Sequence, residues 1–291
     1  MDAFFAAARL IHYAASIQFF GGAVFYLLLI PAGLRPALRR PTRWMELGSA
    51  ILLLASALAW LMATAAGMGD GPQDALNPDV IGTVLGATEF GQVWGWRLAI
   101  CALAVLAALP RADWARWIAL GLSTLALGSL GLVGHATIDS GPMGLFNETS
   151  QVLHLLSSGF WLGALLPLLY LLALFRESAL EPLADLALRR FSGTGHLAVA
   201  VLLLSGVANT WFILRDRIDF AAPYQLLLLL KIGIAGSMCL LAIANRYVFM
   251  PRIPNGGPGA RELAHGTIAE IVLGAAILGL VGVIGMMSPV G

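Results

Sequence analysis

The chain has 291 residues, of which 59% are hydrophobic and 11% charged, with a formal net charge of +1. Soluble domains carry about 25% charged residues and nucleic-acid binders concentrate basic ones, so both classes are excluded. The only two cysteines, Cys101 and Cys239, each sit alone in an apolar run, which excludes a disulfide framework or a cysteine zinc site and marks them as packing residues.

Apolar runs of about 20 residues match the thickness of a bilayer core, and in lipid such runs must be helices because every backbone group has to be satisfied within the segment. Eight occur, at about 4–30, 45–66, 91–109, 115–135, 150–174, 188–212, 224–248 and 264–286. They predict an all-α, polytopic membrane helix bundle forming a single membrane domain over 1–291. The first run, Phe4 to Ile30, shows no small-residue cleavage site and reads as a span, not a signal peptide. The connections then set orientation. Arg35, Arg39, Arg40 and Arg43 lie in the first, and Arg111 and Arg116 in the third. Arg176, Arg189 and Arg190 lie in the fifth, and Arg246, Arg252 and Arg261 in the seventh. The second holds Asp70, Asp74 and Asp79 and no base. Odd connections are therefore expected in the cytoplasm and both termini in the periplasm. The sixth connection departs from this, with Arg215 and Arg217 beside Asp216 and Asp219. Within the second, Asp79 to Phe90 has near-helical apolar spacing and reads either as a helix on the membrane surface or as an exposed loop.

Three matches recur in the same order. His12, Ser16 and Gly21 are mirrored by His154, Ser158 and Gly163. Thr88 through Gly91 with Arg97 is mirrored by Ala222 through Gln225 with Lys231, and Gly131 through His135 by Gly279 through Val283. These predict two four-helix halves, 1–136 and 150–291. An even number of spans per half makes the repeat parallel, about an axis along the membrane normal.

All five histidines fall within or beside spans, where ionisable residues are functional candidates. The predicted topology sorts them: His12, His135 and His154 share the outer half, whereas His196 and His265 enter from the inside and are taken as structural or accessory. Imidazole suits copper, zinc, nickel and iron, and thioethers favour Cu(I). Met143 and Met287 join the outer histidines as candidate metal ligands. Arg97 and Lys231 occupy matched depths and either snorkel outward or neutralise an acid or an anionic lipid. Glu270, one to two turns into the eighth run from the inside, either pairs with a base such as Arg246 beside Asn245 or serves a proton or ion path. Asn209 is expected to bond across helices.

Several of these segments together resemble the CopD family of bacterial copper resistance membrane proteins. They are Gly134-His-Ala136, the L-H-L-L-x-x-G-x-W-L-G pattern of Leu153–Gly163, Arg189-Arg-Phe-Ser192, and Ser205-Gly-x-x-Asn209. Lys231 with Asn245-Arg246 and the run from Thr88 to Arg97 complete the set, which covers nearly the whole chain in order. The resemblance implies an eight-span inner-membrane protein that moves copper, alongside a periplasmic copper carrier of the CopC type, and it supports His12, His135 and His154 as metal positions. Two departures stand out. Gln151 occupies a position that is often acidic in the family, and Ala222-Pro-Tyr-Gln225 lacks the Thr and Gly of its counterpart.

The function expected is copper transport, with Cu(I) or Cu(II) accepted at the periplasmic face and import as the simpler direction. No nucleophile or nucleotide-binding motif points to an enzyme. Two alternatives stand beside it: a haem b cytochrome using paired helix histidines as axial ligands, and a copper sensor or assembly protein that transports nothing.

Overall fold

The computed structural model describes residues 2–133, 141–176, 179–214, 219, 222–253 and 259–287, without the side chains of Asp2 and Arg176. His135, Asp139 and residues 215–217 lie outside the described residues. The helices are α1 (Asp2–Val24), α2 (Arg35–Met68), α3 (Pro78–Ala87), α4 (Glu89–Ala108) and α5 (Asp113–Gly128), followed by α6 (Gly141–Ala173), α7 (Glu181–Leu214), α8 (Pro223–Ala244) and α9 (Gly259–Ile284). All but α3 are long and apolar enough to cross a membrane, giving eight spans. The chain is an all-α polytopic membrane protein.

Helix ends follow local chemistry. Pro78 opens α3, and the Asn77 side chain accepts the Asp79 N–H at 3.1 Å. Thr88 caps α4 by accepting the Gly91 N–H at 2.8 Å. A side chain at 91 would overlap the Val84 carbonyl, so glycine there lets α3 fold back on α4. The stretch after Asp79 is thus a helix rather than a loop. α2, α6 and α7 each start several residues before the apolar runs do, because a helix does not stop where the bilayer does. Their extra turns carry water-facing charges, such as Asp185, which bonds Arg189 at 2.7 Å one turn on.

α1 is the centre of the bundle, with 67% of its most apolar stretch buried, against 11% for α7 and α8, whose apolar faces are left for lipid. One core gathers Phe19, Leu53, Trp60, Trp94 and Leu127 between α1, α2, α4 and α5. A second gathers Phe25, Leu34, Leu38, Leu165 and Leu171 where α6 and α7 meet the π-helical turn Phe25–Leu29. The two are joined where α1 crosses α6. A Cβ on Gly21 would run into the Gly159 carbonyl and the Gly163 backbone, and a Cβ on Gly163 into the Ile17 carbonyl and Gly21. Small residues on both helices let the backbones touch, as in glycine-mediated membrane crossings. The contacts are reciprocal: each glycine meets the backbone four residues before the other.

Basic connections gather at one end of the bundle. Arg43 donates to the Pro110 carbonyl at 2.6 Å, and Arg116 bonds Thr42 at 3.2 Å and pairs with Glu46 at 3.5 Å. Arg116 also lies 3.7 Å from the centre of the Tyr26 ring. Leu183 at the start of α7 packs on Gly33 at the same end.

Candidate functional site

His12 lies nine residues before Gly21, and His154 nine residues before Gly163. Each therefore stands about 13 Å along its helix from the crossing, toward the end opposite the basic connections. Their surroundings differ.

His12 is fully buried. Its Nε2 lies 2.7 Å from the Arg97 guanidinium. Guanidinium nitrogens only donate, so Nε2 accepts and Nδ1 carries the hydrogen, which it gives to the Ser56 hydroxyl at 3.0 Å. Ser56 passes its own hydrogen to the Leu53 carbonyl at 3.1 Å. Trp60 stands edge-on to the imidazole, with ring centres 5.7 Å apart, and Trp94 lies at 5.5 Å. Arg97 is 1% exposed and also bonds the Ala126 carbonyl at 2.7 Å and the Ser129 hydroxyl. It does not snorkel, and among the described residues it meets no acid. The acceptors it meets there are neutral, and its Nε is buried without a partner.

His154 lines a cavity of about 210 Å³ between α1, α2, α6, α7, α8 and α9, toward the end opposite the basic connections. Its Nδ1 is 3.2 Å from the Leu202 carbonyl and 3.2 Å from the Ser205 hydroxyl. A carbonyl can only accept, so Nδ1 holds the hydrogen and Nε2 keeps its lone pair. Among the described residues no group bonds that Nε2. An imidazole with its far nitrogen pinned to a carbonyl is the arrangement metal-ligating histidines adopt. Gly206 packs on the ring, so a larger residue there would press on it. Gln151, Asn209 and Tyr224 add neutral polar groups to the cavity, and Arg9 and Lys231 add cations. Asn209 does bond across helices. It donates to Gln151 at 2.6 Å and accepts from Ser150 at 2.7 Å.

The structure thus places His12 and His154 in matched positions but not on one cavity, since His12 does not line the space that His154 lines. A metal on His12 Nε2 would have to displace Arg97. An axial pair for one haem would need both imidazoles on a shared space. His135 lies outside the described residues, and Val133, two residues before it, lines the His154 cavity. Met287 packs with Tyr224, Leu228 and Ile284, all at the cavity wall, whereas Met143 is 58% exposed on the first turn of α6. Among the described residues no three histidine, cysteine or carboxylate side chains converge on a metal-sized point. Lys231 lines the cavity, and among the described residues no acid lines it. Glu270 is not paired with Arg246, which bonds the Ser192 hydroxyl instead. Its partners are the Trp161 indole N–H at 2.9 Å and the Asn245 amide at 2.6 Å.

Ser56 and Ser205 are the site residues that residue-by-residue reasoning passed over. A signal existed: Leu53-Leu-x-Ser-x-x-Ala59 recurs as Leu202-Leu-x-Ser-x-x-Ala208, setting each serine opposite its histidine.

Two family models match the chain: copper resistance protein D-like, N-terminal domain, over residues 1–145, and copper resistance protein D over residues 185–284. The inner membrane protein YebZ of Escherichia coli K12 is 31% identical over 97% of each chain. Copper resistance protein D of Pseudomonas syringae pv. tomato is 31% identical over 69% of each. The copper transport protein CutJ of Bacillus subtilis 168 is 32% identical over 81% of this chain and 45% of its own length. No solved structure matches.

Proposed function

This chain belongs to the copper resistance protein D family, and on that premise we propose that it carries copper across the bacterial inner membrane, receiving the ion from the periplasmic side at His154. The observation that carries this reading is the pinned imidazole: Leu202 and Ser205 hold Nδ1–H, leaving the Nε2 lone pair unbonded in a cavity opposite the basic face. Copper is the substrate, and a neutral imidazole is among the ligands that suit it. His135, two residues after Val133 in the sequence, is the second ligand of the proposal, with Met287 better placed than Met143 to add a thioether. Arg9 and Lys231 would place an anionic group presented with the ion, such as a carboxylate of a CopC-type periplasmic carrier. His12 serves here as the anchor that holds Arg97, and import is the direction in which a periplasmic receiving site works most simply.

The test is copper movement into proteoliposomes that hold the purified protein in known orientation. Transport predicts uptake that falls to background in His154→Ala and His135→Ala. A protein that binds copper with full stoichiometry and moves none would instead be a sensor or assembly factor.

A further inference from the structure

A second cavity, of about 300 Å³, lies toward the basic face, walled by α6, α7, α8 and α9. Its wall holds Glu270, which is 3% exposed. Among the described residues this carboxylate meets no cation. Its Oε2 accepts the Trp161 N–H and its Oε1 the Asn245 amide, both neutral donors. A carboxylate held from water without a counter-charge is expensive, so such a group holds a cation or takes a proton. Metal binding would need convergent ligands, and among the described residues none converge.

Asn245 supplies the second observation. It is 7% exposed and opens the π-helical turn Asn245–Phe249, a kind of turn frequent at functional sites. Its Oδ1 is fully buried with no donor to accept from, and it lies over Gly266, where a Cβ would overlap it. An ionised carboxylate needs donors, and Trp161 and Asn245 provide two. A protonated carboxyl needs an acceptor for its new O–H. Asn245 holds one idle, and half a turn of its amide, over the space a glycine leaves, would bring it to Glu270.

We propose that Glu270 binds and releases a proton through this inner cavity, with Asn245 changing from donor to acceptor as it does so, and that this proton is the ion coupled to copper movement. The step is balanced: carboxylate plus one proton from the aqueous side gives the neutral acid, and release reverses it. The titratable and charged groups facing Glu270 are His196 from α7, with Cys239, Arg246 and Tyr247 from α8 and its π turn. On α9 itself, Glu262 and His265 lie a turn or more nearer the basic face. Trp161 lies seven residues beyond His154 on α6, about two turns, so one helix forms a wall of both cavities. The coupling clause rests on the copper reading above, whereas the proton site itself does not.

Infrared difference spectroscopy of the lipid-embedded protein tests the site without copper. Acidification should raise the C=O stretch of a buried carboxylic acid. Glu270→Gln should abolish that band and Asn245→Leu should shift it, while circular dichroism and the midpoint of thermal unfolding show both variants folded. In proteoliposomes an imposed pH gradient should change copper uptake several-fold in the wild type and leave Glu270→Gln uptake indifferent. A band that survives in Glu270→Gln, or none in the wild type, overturns the proton site. A Glu270-dependent band with uptake blind to the gradient overturns the coupling. The same band with no uptake at all overturns the copper transport reading and leaves the proton site standing.

Discussion

His12 and His154 occupy matched places on α1 and α6, and each bonds through Nδ1 to a serine of the next long helix. Yet one is closed and the other open. Around His12, Trp60 and Trp94 fill the space and Arg97 covers the remaining nitrogen. Around His154 the counterpart of Trp60 in the shared Leu-Leu-x-Ser pattern is Asn209, and the counterpart of Arg97 is Lys231. Replacing indole by amide and guanidinium by amine leaves a cavity and a free lone pair. The lesson is that a repeated histidine is a position, and its neighbours decide whether it is covered or left open.

The comparison hinges on the crossing of α1 with α6, and breaking that crossing should have the largest effect. Gly163→Val sets a branched side chain against the Ile17 and Gly21 backbone, which cannot move aside as a side chain can. A loss of about 3 kcal/mol is expected, the upper end of the usual range for overpacking, read as a lower midpoint of thermal unfolding in detergent. Gly48→Ala, where nothing lies within 4 Å, is the control and should leave the midpoint in place or raise it slightly, since alanine is the better helix former.

Opening the closed side comes next. Arg97→Met removes the donor to His12 Nε2, the Ala126 carbonyl and Ser129. Orphaning buried acceptors costs about 1–3 kcal/mol, so unfolding should shift by roughly 2 kcal/mol while copper binding stays at wild-type affinity. A loss of copper binding with the fold intact would move the receiving site to the first half.

Closing the open side is the converse. Lys231→Arg brings a rigid fork of donors into the cavity at the position matched to Arg97, able to cover His154 Nε2 as Arg97 covers His12. Copper affinity measured by competition titration should fall about tenfold, equivalent to about 1.4 kcal/mol. Ser205→Ala should have the smallest effect. The Leu202 carbonyl still holds Nδ1, and an interhelical hydrogen bond within a membrane averages about 0.6 kcal/mol, so a weakening of only a few-fold is expected.

How much of this was legible in the residues can be read element by element. The eight spans were, because lipid demands apolar runs of one length, and so was Asn209 as an interhelical bonder. The starts of α2, α6 and α7 were not, since hydropathy marks the bilayer and not the helix. For Arg97 the sequence offered an outward reach, an acid or an anionic lipid, and the structure turns it inward to a histidine. An almost wholly apolar helix such as α4 has no polar stripe to show which face looks into the bundle. Glu270 was visible as a buried acid needing a partner, but an indole and a carboxamide are not partners that charge reasoning suggests. Ser56 and Ser205 were visible as a repeat and unremarkable as single hydroxyls.

The most direct measurement sets His12→Ala beside His154→Ala in purified, folded protein, counting bound copper per chain and titrating its affinity. Copper retained in His12→Ala, with a lowered unfolding midpoint, and lost in His154→Ala is the result the open-and-closed account predicts. Full copper stoichiometry in His154→Ala, or its loss in a folded His12→Ala, would contradict it.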